Sequence, residues 1–250
     1  MPQPLSKVIH GDPGIVIMGP GEEQKRPKLA ALAFSVISHM ACADSMLAQL
    51  AGSLTMGRAK PVIELFADAQ NETRKSAILH ALARSHLEPD RLELFDAIIK
   101  LYDRAGALRN PIGHGVWGAI DRLPDALLLI NPRDELLVDG RIDLIRQKRK
   151  EAAKAGEEFE VVALNRLEDA LFEEYRRLIV VYREKDFLDI IRQIESVWNF
   201  LGEFNALVRR DRQIPSGGQR KFDALARQPE IRTLIEHSRK ASKARPSRGH

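Results

Sequence analysis

The chain predicts a mainly α-helical fold, a helical bundle carrying a small inserted antiparallel β hairpin. Two observations lead there. Apolar residues recur at alternating three- and four-residue intervals over long stretches, the period of one helix face, and only two short segments in the middle of the chain read as strands. With 44% hydrophobic residues in 250, the chain has enough apolar surface to bury a substantial core.

Taken in order, residues 1–26 contain scattered Pro and Gly without sustained periodicity and are expected to be an irregular arm. The helical domain is assigned to 27–210. It opens at Pro27, a residue suited to a first helical turn, and Leu29, Leu32, Val36, Met40, Ala43, Leu47, Leu50 and Leu54 lie on one stripe of a long helix that Gly57 ends. Further helices are expected at Lys60 to Ala69, Glu72 to His86 and Asp90 to Ala105. The last turns Leu94, Phe95, Ile98, Ile99 and Tyr102 inward.

The apolar run Asp125 to Asn131 and the partly alternating Glu158 to Leu164 read as the two strands of the hairpin, with the basic segment Arg146 to Lys150 between them as a solvated helix face or loop. Two long helices follow, the first capped by Asn165 and the second starting at Asp186. In the second, Phe187, Ile190, Ile191, Ile194, Val197, Trp198, Leu201, Phe204 and Val208 make a continuous stripe that is core or interface, with Trp198 as a packing group. Residues 211–250 are assigned as a basic, partly disordered tail, beginning near the Ile214 to Gly218 linker and weakest in hydrophobicity from Ser238 onward.

The net charge of +4 is unevenly spread: Arg209 to His250 holds twelve Lys/Arg against four Asp/Glu, while the remainder is slightly acidic. Such a tail either tracks a polyanion such as nucleic acid or serves as a solubilising extension. No run reaches the roughly 18 consecutive apolar residues of a membrane-spanning helix, so a cytoplasmic protein with no membrane partner is expected. The one cysteine, Cys42, cannot form an internal disulfide and reads as core filler.

Leu108 to Trp117 is the segment that could do chemistry, because it brings together a fixed cation, an amide, a titratable imidazole and two glycines. Pro111 predicts a break at Asn110; if Asn110 caps a new helix, its unpaired amides would favour an anion. Asn110 and His114, four apart, lie about 40° apart in projection and share a helix face, whereas Arg109 and His114 are about 140° apart. Arg109 therefore reaches round, uses the break, or meets a His114 from a second chain. An imidazole that exchanges protons near neutral pH and a guanidinium that grips phosphate oxygens suit acid–base attack on a phosphodiester without a metal or other cofactor. No His/Cys cluster with metal spacing, phosphate loop or nucleophile elbow competes, and His80 and His86 are poorly spaced for joint ligation.

The run Arg109-Asn110-Pro111-Ile112-Gly113-His114 resembles the motif of the HEPN superfamily, an arginine and a following polar residue separated from a histidine by four to six positions near the end of a long helix. The resemblance implies a HEPN-like bundle and a metal-independent ribonuclease, a hydrolase whose site forms at a homodimer interface. It makes His114 the acid/base, Arg109 the phosphate contact and Asn110 a positioning group. Arg146, Lys148, Arg149 and Lys150 are the expected substrate-binding cations. Other family members act as binding or regulatory modules with a protein partner or inhibitor, the second function class this sequence admits.

Overall fold

The computed structural model describes residues 2–11, 14–55, 59–69, 71–213 and 219–244. The chain order is β1 (Gln3–Pro4), α1 (Leu5–Val8), β2 (Ile17–Met18), a 3-10 turn (Glu22–Lys25), α2 (Pro27–Leu54), α3 (Ala59–Asp68), α4 (Glu72–His86) and α5 (Pro89–His114). It continues through β3 (Val116–Ala119), β4 (Ala126–Ile130), α6 (Pro132–Ala155), α7 (Glu158–Leu178), β5 (Val180–Arg183), α8 (Glu184–Gln213), α9 (Gln219–Ala226) and α10 (Pro229–Ala244). The protein is thus mainly helical with one small antiparallel sheet. It divides into two compact units, each built from two stretches: 1–37 with 108–191, and 38–107 with 192–250. The sequence, read as one principal domain, does not announce this division, because helical periodicity is local and does not say which helices share a core.

In the first unit the sheet order is β1-β5-β4-β3-β2, every pair antiparallel. The central strand, Ala126-Leu-Leu-Leu-Ile130, is buried along its whole length, and the two-residue strands at either edge leave little unpaired backbone to recruit other chains. Ala126, Leu128 and Ile130 share one face and pack with Leu5, Ile9, Ile120, Ile179 and Val181. Gly118 on β3 is there for space: a Cβ would meet Ile17 O at 2.7 Å where β2 crosses close by.

Four sequence expectations are corrected here. The arm 1–26 is tied into the sheet by β1 and β2, because Leu5 and Ile9 bury their side chains in its core and strands of two residues carry no period of their own. Glu158 to Leu164 is the start of α7, not a strand. Leu164, Leu171 and Leu178 belong to an inward helical face, and α7 lies against α6, where Leu171 packs with Val138 and Ile142; that packing outweighs the local alternation. The strands that pair with β4 are β3 and β5, so the expected hairpin is a five-stranded sheet. Asn165, expected as a cap, lies inside α7, and α8 starts at Glu184, with Asp186 accepting a hydrogen bond from the Arg183 amide at 3.0 Å.

In the second unit Phe204 packs against Phe95 and Phe222, and the Arg91 guanidinium lies 4.8 Å from the Phe222 ring centre. Phe204 is fully buried, so it offers no dimer face, and Trp198 is 43% exposed, not a core group. Cys42 is exposed as well, correcting its reading as filler. In the basic tail, residues 219–244 are α9 and α10, which bury Phe222, Leu225, Ile231, Leu234 and Ile235; five apolar groups at helical spacing suffice to dock a segment otherwise rich in charge. Gly57, residues 214–218 and residues 245–250 lie outside the described residues. By length and mean hydropathy alone α2 could cross a membrane; most of its stripe from Leu29 to Leu54 is buried, while 28% of its apolar window as a whole is.

Candidate functional site

The helix predicted to stop at Asn110 does not stop. α5 runs through Pro111 to His114, so no new helix begins at Asn110 and the expected anion site on its first amides is absent. Proline deletes one amide hydrogen bond, a loss the chain tolerates within a turn of a helix end. The Gly115 amide then bonds to the Pro111 carbonyl at 2.8 Å, and the chain passes directly into β3. Gly115 is required at this junction: a Cβ would sit 2.5 Å from Pro111 O and 3.1 Å from Leu129 Cδ2.

Of the three routes by which Arg109 could meet His114, the fold uses the first. Arg109 reaches round within one chain and places Nη1 3.2 Å from His114 Nε2. The group that makes room is Gly113, where a Cβ would lie 3.1 Å from Arg109 Cζ and 3.2 Å from Nη1. A guanidinium has no acceptor atom, so Nε2 supplies the lone pair and the ring proton resides on Nδ1. His114 is exposed and Arg109 half-buried, with Nε enclosed and without a partner. Asn110 is exposed four residues before His114 and its side chain has no hydrogen-bond partner among the described residues.

The four basic residues predicted to bind substrate lie on α6, and two are already engaged. Arg146 Nε bonds to Glu168 Oε1 at 2.9 Å, and Arg149 Nη1 bonds to Glu168 Oε2 and, at 3.0 Å, to Asn165 Oδ1. Glu168 is largely buried, so one carboxylate neutralises much of that patch. Lys148 and Lys150 are exposed and unpaired among the described residues, where no hydrogen bond or ion pair joins this segment to Arg109 or His114. Glu168 was missed because a glutamate at helical spacing from Leu164 and Leu171 carries no mark of its partner. The role of Gly113 was missed too, although a glycine one helical turn after Arg109, where a missing side chain frees a path, is a signal that could have found it.

Nearer the sheet, burial pushes the Glu135 carboxyl above its ordinary range, with Asp139 adding like charge. The Tyr175 phenol is pushed up to about 12 by burial and then by Glu135 and Asp139. Arg176, also on α7, donates to the Ile9 carbonyl at 2.7 Å and pairs with Glu173, tying the N-terminal segment down. Among the described residues no group of three His, Cys, Asp or Glu side chains could hold a metal ion. No family model, curated protein or solved structure matches the chain.

Proposed function

We propose that this chain is a HEPN-like, metal-independent endoribonuclease in which His114 moves the proton and Arg109 binds the scissile phosphate. The observation that carries the reading is the pairing of an exposed imidazole with a guanidinium at 3.2 Å, over a glycine that leaves the side chain room to swing. An incoming phosphodiester draws Arg109 onto its oxygens, since a charged acceptor outcompetes a neutral ring nitrogen. Nε2 is then free to take the 2′-hydroxyl proton. The 2′-oxygen attacks phosphorus, the 5′-oxygen leaves and takes up a proton, and the products are a 2′,3′-cyclic phosphate and a 5′-hydroxyl end. Arg109 stabilises the charge that builds on the phosphoryl oxygens. A homodimer with two His114 side chains facing one phosphate supplies both base and acid, and Asn110 orients the substrate beside them.

The test is cleavage of single-stranded and structured RNA in chelator, with cytoplasmic location and dimer mass measured alongside. Loss of cleavage in His114→Ala and Arg109→Ala is expected; wild-type cleavage by folded His114→Ala removes the assignment.

A second reading has its own observation. Leu136, Leu137, Leu144 and Phe159 on α6 and α7 are exposed, Phe159 by 88%, which suits a regulatory module that docks a protein. If that reading holds, Phe159→Asp abolishes partner capture and leaves RNA untouched; unchanged capture counts against it.

A further inference from the structure

Away from His114, the first unit contains a cleft of about 540 Å³ at the start of two helices. Lys25, Arg26 and Lys28 line it from the 3-10 turn and the start of α2, and Arg183 and Lys185 from the end of β5 and the first turn of α8. Against these five cations stand Asp125 and Glu184 in the lining and Glu22 paired with Lys25, leaving an excess of two positive charges. Two of the five are held only by ion pairs open to solvent, Lys28 with Glu184 at 2.7 Å and Arg183 with Asp125 at 3.1 Å, while Lys25 meets a largely buried Glu22 carboxylate at 2.8 Å. Pairs of this kind are screened and exchange readily for a more highly charged anion. Lys185 is exposed and has no partner among the described residues. Arg26 donates to the Lys25 and Ile120 carbonyls while its Nε is enclosed and unpartnered.

The backbone adds to the side chains. α2 begins at Pro27 and α8 at Glu184, so first-turn amides of both helices border the cleft, and those amides have no acceptor within their helices. On α8, Asp186 accepts from the Arg183 amide, which leaves the amides of Glu184 and Lys185 for another acceptor. The volume lies in the range of small-molecule sites and exceeds what a lone phosphate fills.

We propose that this cleft binds a phosphate group carried on a nucleotide-sized ligand, with Lys28, Lys185 and Arg183 gripping its oxygens and Arg26 held behind them. The group is either the phosphate of a free nucleotide or the 5′-phosphate of an RNA end. The inference goes beyond cleavage at His114 and does not depend on it.

The full-length protein is titrated with pyrophosphate by calorimetry and by amide NMR at low salt. Binding is expected, with shifts at Lys28, Leu29 and Lys185. The double variant Lys28→Gln/Lys185→Gln should bind at least tenfold more weakly, while Lys185→Arg keeps the affinity and His114→Ala leaves it unchanged. Absence of pyrophosphate binding, or a double variant that binds like wild type, overturns the proposal. Competition then separates the two sources: displacement by adenosine or guanosine 5′-monophosphate identifies a free nucleotide, and displacement only by a 5′-phosphorylated oligonucleotide, not its 5′-hydroxyl form, identifies an RNA end. Pyrophosphate binding without any RNA cleavage leaves the cleft standing and removes the nuclease reading; cleavage without such binding does the reverse.

Discussion

Replacing Gly113 by alanine should raise stability and lower activity together. The new Cβ would lie 3.1 Å from Arg109 Cζ and 3.2 Å from Nη1. Ordinary carbon contacts settle at roughly 3.5–4.0 Å, so the guanidinium must retreat by about half an ångström. Its contact with His114 Nε2 is already 3.2 Å, the long end for an N–H donor, and that retreat breaks it. The backbone is helical and exposed at this point, so alanine gains about 0.5–1 kcal/mol over glycine, or roughly 1–4 °C in Tm for a chain of this length. The atom in the way is the tip of a flexible side chain, which yields at little cost. RNA cleavage should fall by about 10–100-fold, the effect of misplacing a charge-stabilising group by a fraction of an ångström. Thermal melting and single-turnover cleavage measure the two effects, and imidazole ¹⁵N spectra report whether the Nδ1–H form of His114 is lost. A folded Gly113→Ala protein with that tautomer intact and full activity refutes the proposed geometry, as does a loss of more than about 1 kcal/mol in stability.

Other substitutions separate the remaining claims. Gly115→Ala should behave oppositely to Gly113→Ala, because its Cβ would meet the Pro111 carbonyl at 2.5 Å and backbone does not yield; a loss of about 1–3 kcal/mol is expected by denaturant unfolding. Glu168→Ala should cost about 1–3 kcal/mol and leave Arg146 and Arg149 without their carboxylate; RNA affinity should then become more salt-dependent, with the slope of log K against log salt steeper by about 0.7–1.4. Arg176→Leu should destabilise by about 2–4 kcal/mol by freeing the Ile9 carbonyl and Glu173, read as a lower unfolding midpoint. Tyr175 favours its neutral form when folded, so its contribution is complete below the ordinary tyrosine range near pH 10 and is lost as pH rises through about 12; Tyr175→Phe should flatten that decline and remove a step near pH 12 from the 295 nm titration.

Much of the helical framework was legible in the residues. The stripe from Leu29 to Leu54 predicts α2 and the one from Phe187 to Val208 predicts α8, because a repeat of three and four residues is a local property of the chain that any buried helix must satisfy. The run Ala126 to Ile130 predicts β4 for a related reason: a short, wholly apolar stretch ended by Asn-Pro fits a buried strand. Arg109 and His114 were legible as a pair of residue types, and Gly113 stood beside them.

The rest depended on partners distant in the chain. Gln3–Pro4 becomes a strand because Val180 and Val181 offer it backbone hydrogen bonds, and Glu158 to Leu164 becomes helix because α6 presents Val138 and Ile142 to the face that follows. Pro111 looked like a break when judged by its own geometry, yet α5 continues to the start of a strand the fold holds in place. Arg146 and Arg149 read as free cations until Glu168 arrived from another helix. Periodicity reports how much of a segment is buried and on which side. It carries no information about what lies opposite, and the two-helix cleft at Lys28 and Lys185 is set by what lies opposite.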